Sequence, residues 1–190
     1  MKQIQSMKTA TDDAPYVVQY HAYDPRLPSV FEKVKRLIQS TAGLLPVEHI
    51  GSSSIPGIGG RNVLDIAIPA AEPKQPEIRQ ALYELGFEDS PFPHYLPLLV
   101  GEVTYESKSY PILLYIVTPE SSVFGEWLKF RGYMRGHPEE ARAYDTTKRE
   151  AIAMGRVKGD DYQQAKNPFL AAITAKFHVE PNRVSGRGDR

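Results

Sequence analysis

The chain has 190 residues, enough for one domain with a sizeable core, or a core plus a small helical appendage. Its 23 basic and 23 acidic residues cancel, which removes any global electrostatic case for a nucleic-acid or membrane-surface partner and leaves only a local patch open. Cysteine is absent, excluding disulfides and thiolate metal sites; no apolar run approaches the ~20 residues of a membrane span, no secretory signal opens the chain, and a cytoplasmic location is expected.

Residues 1–15 are polar and expected to be loose. Tyr16 to Tyr20 alternates weakly, as an edge strand would. Asp24-Pro25 reads as a helix start, with Asp24 as cap and Pro25 in the first turn. Val30, Phe31, Val34, Leu37 and Ile38 recur at helical spacing, so an amphipathic helix is predicted over 25–41, ended by Gly43.

Two short apolar runs follow, Pro46 to Ile50 and Asn62 to Ile68, and both read as strands. Between them Gly51, Gly57, Gly59 and Gly60 allow a tight path, and Ser52, Ser53 and Ser54 place three hydroxyls beside Gly51. Small residues next to glycine let backbone N–H groups approach a phosphate, and a helix starting there would add its dipole. An ordinary polar loop is the other reading of the same residues. Glu48 and His49 fall on opposite faces of the first strand. His49 is a candidate proton carrier or metal ligand, against the plainer reading of a hydrogen-bonded histidine. Asp65 sits among β-branched residues, where a lone charge is costly, so a cap, an arginine or a metal is expected beside it. Strand alternation turns Asp65 and Ala67 one way and Leu64, Ile66 and Ile68 the other.

A helix is predicted from Pro76 to Leu85, stopped by Gly86. Phe87 to Pro97 is proline-rich and reads as an irregular surface connection. Leu98 to Glu106 and Tyr110 to Val117 form a predicted hairpin beside the Asp65 strand, turning at Ser107-Lys108-Ser109. After Pro119 the pattern is helical. One helix carries Val123, Trp127, Phe130 and Met134, and His137-Pro138 breaks it. A second helix runs to about Met154, and a loop covers Gly155 to Asp160. A third spans Asp161 to Phe177 with an interruption at Pro168. The predicted organisation is an α/β core over 16–118, a C-terminal helical unit over 119–178 packed on it as one compact domain, and disordered ends at 1–15 and 179–190.

Three stretches carry a resemblance. VEHIGSSSIPGIGGRNVLDIAI (47–68), WLKFRGYMRGHPEEARAYDTTKRE (127–150), and Tyr162 with Lys166 and the helix after them resemble, in order, three signatures of the GrpB family. That family shares the fold of the DNA polymerase β-type nucleotidyltransferases, so the resemblance implies a mixed-sheet α/β (α+β) core with packed helices. It also implies nucleotidyl transfer: a nucleoside monophosphate passes from a nucleoside triphosphate to an acceptor the sequence does not identify, assisted by Mg2+. On this reading Gly51, Ser52 and Ser53 cradle phosphate, Asp65 is the first metal-binding acid, Glu48, or else Glu102 or Glu106 on the hairpin, is a substitute ligand, and His49 assists proton movement. Ala67 stands where the second acid would be. Leu113 and Tyr115 stand where many relatives carry a His-x-His pair. Lys129, Arg131, Arg135, Lys148, Arg149 and Lys166 supply cations on the tail helices. Of these, Arg131, Lys148 and Lys166 match the family motifs best as phosphate ligands. Tyr133 and Tyr144 are candidates for base stacking. The competing function is a binding module that keeps an anion pocket after losing the acids. A small-molecule nucleotide is thus the expected partner; neutral charge argues against nucleic acid, and oligomeric state stays open.

Overall fold

Five strands make one mixed sheet: β1 (Glu48–Ile50), β2 (Leu64–Pro69), β3 (Glu88–Asp89), β4 (Leu98–Tyr105) and β5 (Lys108–Val117), in the order β1-β2-β5-β4-β3. The computed structural model describes residues 3–6, 18–91 and 96–179, together with these strands and five α-helices. The helices are α1 (Leu27–Ala42), α2 (Gln75–Leu85), α3 (Ser122–Gly136), α4 (Pro138–Ala153) and α5 (Gly159–Val179). Only the β2–β5 pairing is parallel; the others are antiparallel. The α/β class expected from the sequence, with a mixed sheet and C-terminal helices, is the one found. Among the described residues no helix is long and apolar enough to cross a membrane.

The sheet is two-sided because its strands alternate. Leu64, Ile66, Ile68, Ile112 and Leu114 turn to one face, where Val30, Phe31 and Val34 of α1 and Leu82 of α2 cover them. Ile50, Ala67, Val100, Tyr115 and Val117 turn to the other, against Phe124 and half-buried Trp127 of α3. Each such side chain, fully buried, contributes about 1.5–3 kcal/mol. A third apolar cluster joins the tail helices to the glycine-rich segment: Met134, Tyr144 and Ile173 pack on Ile55 and Ile58. That contact draws α3, α4 and α5 over the open end of β1 and β2.

Several elements differ from the sequence reading. Helix α1 starts at Leu27, not at Pro25, and Arg26 occupies its N-cap position. Asp24 does not cap by hydroxyl-like geometry. Its carboxylate accepts from the Arg26 amide (3.0 Å) and guanidinium (2.8 Å), from Lys108 Nζ (2.7 Å) and from Tyr110 Oη (2.9 Å), bolting the start of α1 to β5. The Arg26 guanidinium, aided by these other donors, holds the Asp24 carboxyl well below the usual carboxylate range. The hairpin turns at Glu106-Ser107, both at positive φ, one step earlier than predicted, so Tyr105 pairs with Lys108. Glu88–Asp89 adds a short edge strand where an irregular connection was expected; residues 92–95 of that connection lie outside the described residues.

Helix α5 begins at Gly159 and runs unbroken through Pro168. Proline removes one helical hydrogen bond, but Tyr162 and Ile173 are buried on either side of it, and that packing keeps one axis. At the N-terminus, residues 3–6 are not loose. Ile4 is fully buried beside Gly101 and Phe87, and Gln5 bridges to Glu102. The rest of 1–15, Tyr16 and Val17 of the predicted edge strand, and 180–190 lie outside the described residues; Val18 to Tyr20 is not strand.

Candidate functional site

Gly51 decides the geometry where β1 ends. Ile50 pairs with Asp65, so the next residue passes directly over the Asp65 carboxylate. A Cβ at Gly51 would overlap Asp65 Oδ2 and lie 2.9 Å from Asp65 Cβ, and the residue sits at φ +65°, a region that favours glycine. Ser52–Ser54 then makes a single 3-10 turn, and Ile55 is already extended. The expected phosphate-cradling helix is therefore absent at this point; a three-residue turn carries no macrodipole of consequence. The Ser54 hydroxyl donates to Gly51 O at 2.7 Å, and the Arg135 guanidinium donates to Ser54 O at 2.7 Å.

The second glycine pair approaches from the other side. Gly59 N donates to Asp145 Oδ1 at 2.9 Å, and Gly60 exchanges both backbone hydrogen bonds with His21. A Cβ at Gly59 would overlap Tyr20 Oη. Asp145 of α4 organises this region: it also accepts from Tyr20 Oη and Arg149 Nε, each at 2.9 Å. Neither Tyr20 nor Asp145 stood out in the sequence. Asp145 lies inside the second family stretch, three residues before Lys148, and that i,i+3 spacing is the one available signal.

Between these walls is a cavity of about 290 Å³. Gly51, Ser52 and Ser53 line it, with Gly59 to Asn62 beside them and Asp65 half-buried at its floor. Helices α3, α4 and α5 close the far side through Trp127 and Phe130, Tyr144 and Lys148, and Tyr162 and Lys166. Lys148 Nζ donates to Gly59 O, and it and Ser52 Oγ stand 3.4 and 3.6 Å from where a Gly60 Cβ would be. A tail cation and a loop hydroxyl thus meet at Gly60. Lys148 is 1% exposed and Lys166 8% exposed, each over an aromatic ring, at 4.8 Å from the Tyr144 centroid and 4.5 Å from that of Tyr162.

Burial drives the titrations here. Desolvation brings the Lys148 ammonium down to about 7, with Asp145 opposing and Lys166 and Arg149 assisting. Desolvation brings Lys166 down to about 8, assisted by Arg61 and opposed by Asp65. The Asp65 carboxyl is pushed up by burial, against the pull of Arg61 and Lys166. Asn62 Oδ1 is buried on the cavity wall with no hydrogen-bond partner, and its residue holds φ +59°. An acceptor left in that state costs about 1–3 kcal/mol unless something supplies a donor.

Three other candidates lie elsewhere. His49 is on the opposite sheet face from Asp65, stacked on Phe31 at 4.9 Å and 3.0 Å from Ser53 Oγ. Burial first, then Arg135 and Arg131, hold it down to about 3, so its imidazole is neutral. Arg131 leaves the cavity for the sheet edge, where Nη1 donates to Glu48 Oε2 (2.8 Å) and His49 O (2.7 Å). Glu48 is thereby paired with an arginine rather than presented beside Asp65. Tyr133 stacks on His137 at 3.9 Å, while Tyr144 lines the cavity and stacks on Phe169 at 5.3 Å.

The magnesium site implied by the resemblance is tested by its donor set, and the residues present do not fit it. In the β2–β5 register Asp65 faces Leu113 and Ala67 faces Tyr115, neither of which suits Mg2+, and Glu48, which shares that face opposite Ala67, has its carboxylate bonded to Arg131. Among the described residues no three His, Asp or Glu side chains gather as metal ligands.

The GrpB protein family model matches residues 17–176. UPF0157 protein BH1888 of Halalkalibacterium halodurans is 24% identical over 164 residues, spanning 83% of this chain and 80% of its own length. UPF0157 protein SCO7215 of Streptomyces coelicolor is 25% identical over 159 residues, spanning 81% of each. The crystal structure of conserved protein GrpB from Enterococcus faecalis superposes with a TM-score of 0.68 at 22% identity, covering 84% of this chain and 96% of that one, which is a likeness of fold. With a family model covering most of its length, the chain belongs to the GrpB family.

Proposed function

We propose that this protein binds a phosphorylated small molecule, of the nucleotide class that its nucleotidyltransferase-like resemblance implies, in the cavity between the Ser52–Ser53 turn and the tail helices. One observation carries the reading: Lys148 and Lys166, from two different helices, are both buried on the lining of that cavity, with the Ser52 hydroxyl close to Lys148 at Gly60. Burying an ammonium costs several kcal/mol unless charge or hydrogen bonds offset it. Asp145 and Gly59 O offset part of that cost at Lys148 and Asp65 part of it at Lys166, and an anion would offset more. Calorimetric titration with nucleoside mono-, di- and triphosphates, with and without magnesium, tests the reading. Binding that weakens at least tenfold in Lys148→Met and Lys166→Met is expected, and a wild-type protein that binds none of them refutes it.

Nucleotidyl transfer is the second reading, favoured by the single placement of Asp65 at the cavity floor. Its other parts are less well supplied, since Glu48 is paired with Arg131 and His49 lies on the far face. An Asp65→Ala variant that turns over labelled ATP as fast as wild type removes it.

A further inference from the structure

The cavity restricts the charge and size of what can enter it. Its walls carry three basic side chains, Lys148, Lys166 and Arg61, and one acidic one, Asp65, while Glu126 of α3 stands exposed at the rim. Asp145, behind Lys148, lies 3.9 Å from its Nζ and so offsets part of that charge, while it also accepts from Tyr20, Gly59 N and Arg149. A phosphate monoester, with about −1.5 to −2 charge at pH 7, suits walls on which basic side chains modestly outnumber acidic ones. A triphosphate carries at least twice that charge and is normally delivered with a divalent cation. The strand positions that would share such a cation are filled by Ala67, Leu113 and Tyr115, and further phosphates would meet Asp65 or Glu126 instead.

Size and lining point the same way. About 290 Å³ lies at the small end of the range of roughly 300–1,000 Å³ typical of small-molecule pockets. Trp127 and Phe130, half-buried on the far wall, offer apolar rings that suit an aromatic or apolar organic part, while the Tyr144 ring is taken up by Lys148 and Phe169. Asn62 Oδ1, buried without a donor, takes one from a ligand hydroxyl or amine. Inorganic phosphate would leave the aromatic wall bare.

Resting on the phosphate-site reading, we propose that the ligand is a phosphate monoester of the nucleoside-monophosphate class, bound without a divalent metal. Its phosphate lies between Ser52, Lys148 and Lys166, its organic part against Trp127 and Phe130, and one of its O–H or N–H groups on Asn62 Oδ1. The depressed lysines fit this arrangement: an arriving dianion draws protons onto both, so binding takes up protons above pH 7.

The test is calorimetry on the full chain in excess EDTA with AMP, GMP, CMP and UMP, run beside magnesium-ATP, adenosine and inorganic phosphate. At least one monophosphate is expected to bind tenfold or more tighter than magnesium-ATP, adenosine and inorganic phosphate. That affinity is expected to fall at least tenfold in Lys166→Met, with Lys148→Met as the second variant should the first not fold. Magnesium-ATP binding with all four monophosphates silent overturns the inference and leaves the phosphate-site reading standing. Silence of every phosphorylated compound overturns both. Inorganic phosphate binding as tightly as the best monophosphate overturns the organic part of the proposal.

Discussion

Gly51 and Gly57 separate two costs that a single glycine substitution usually mixes. Both hold positive φ, but a Cβ at Gly57 meets nothing within 4 Å, while one at Gly51 collides with the Asp65 carboxylate. Gly57→Ala is expected to cost about 1–2 kcal/mol from backbone strain alone. Gly51→Ala is expected to cost a further 1–3 kcal/mol, roughly, because Asp65 must move and because ψ −173° at this φ is a backbone region nearly restricted to glycine. Denaturant midpoints check this, and equal losses contradict the close approach. Lys148 and Lys166 make a pH prediction with a definite sign. Their folded values, about 7 and about 8, lie below the unfolded lysine value of about 10.4. Between those values the unfolded chain binds more protons, so stability rises with pH from about 7 to about 10 and is lost as pH falls through the folded values. The groups facing them are Asp145 and Arg149 around Lys148, Arg61 and Asp65 around Lys166, and His21 and Glu126 on the cavity lining. Urea unfolding at pH 7 and pH 9.5 reads the effect, and the rise is expected to shrink in Lys148→Met. At this scale Asp65 was legible, because alternation along a strand fixes which way a side chain turns. So were the gaps at Ala67, Leu113 and Tyr115, which the register sets beside it. Asp145 and Asn62 were not legible: each acquires its meaning from a partner, or the lack of one, that lies far along the chain or depends on a φ that no spacing rule gives.

At the scale of elements, α3 is fastened to the sheet edge by two arginines rather than by apolar packing alone. Arg131 joins Glu48 to the His49 carbonyl, and Arg135 holds Ser54 O. Arg131→Met is expected to lower stability by about 1–3 kcal/mol, since it strips charge-assisted bonds from half-buried acceptors. Chemical denaturation measures the loss, and a change below about 0.5 kcal/mol, the range of ordinary surface substitutions, contradicts the fastening. Pro168 lies exposed inside an unbroken α5. Pro168→Ala restores a helical amide and is expected to raise stability by about 1–3 kcal/mol, checked by thermal unfolding; a lower melting temperature contradicts it. Among the described residues the sequence pattern located the five α-helices and four of the five strands because the apolar periods were long enough to read. Its misses have local causes. Glu106 and Ser107 adopt positive φ without the glycine that usually announces such a turn, and Glu88–Asp89 is too short to show alternation.

Across the whole molecule, zero net charge conceals a local concentration. The tail helices bring Lys148 and Lys166 over a loop 88 or more positions earlier in the chain, so the cavity exists only when the helical unit is docked. A site divided in this way is stabilised by whatever fills it, in proportion to the logarithm of ligand concentration over Kd. The most direct measurement is therefore equilibrium binding of nucleoside phosphates to wild type, Lys148→Met and Lys166→Met at pH 7, with the ligand-free melting temperature of each recorded beside it. The expected result is saturable binding by wild type that falls at least tenfold in each folded variant. Binding of equal strength in all three proteins, or none in wild type, contradicts a phosphate site in this cavity.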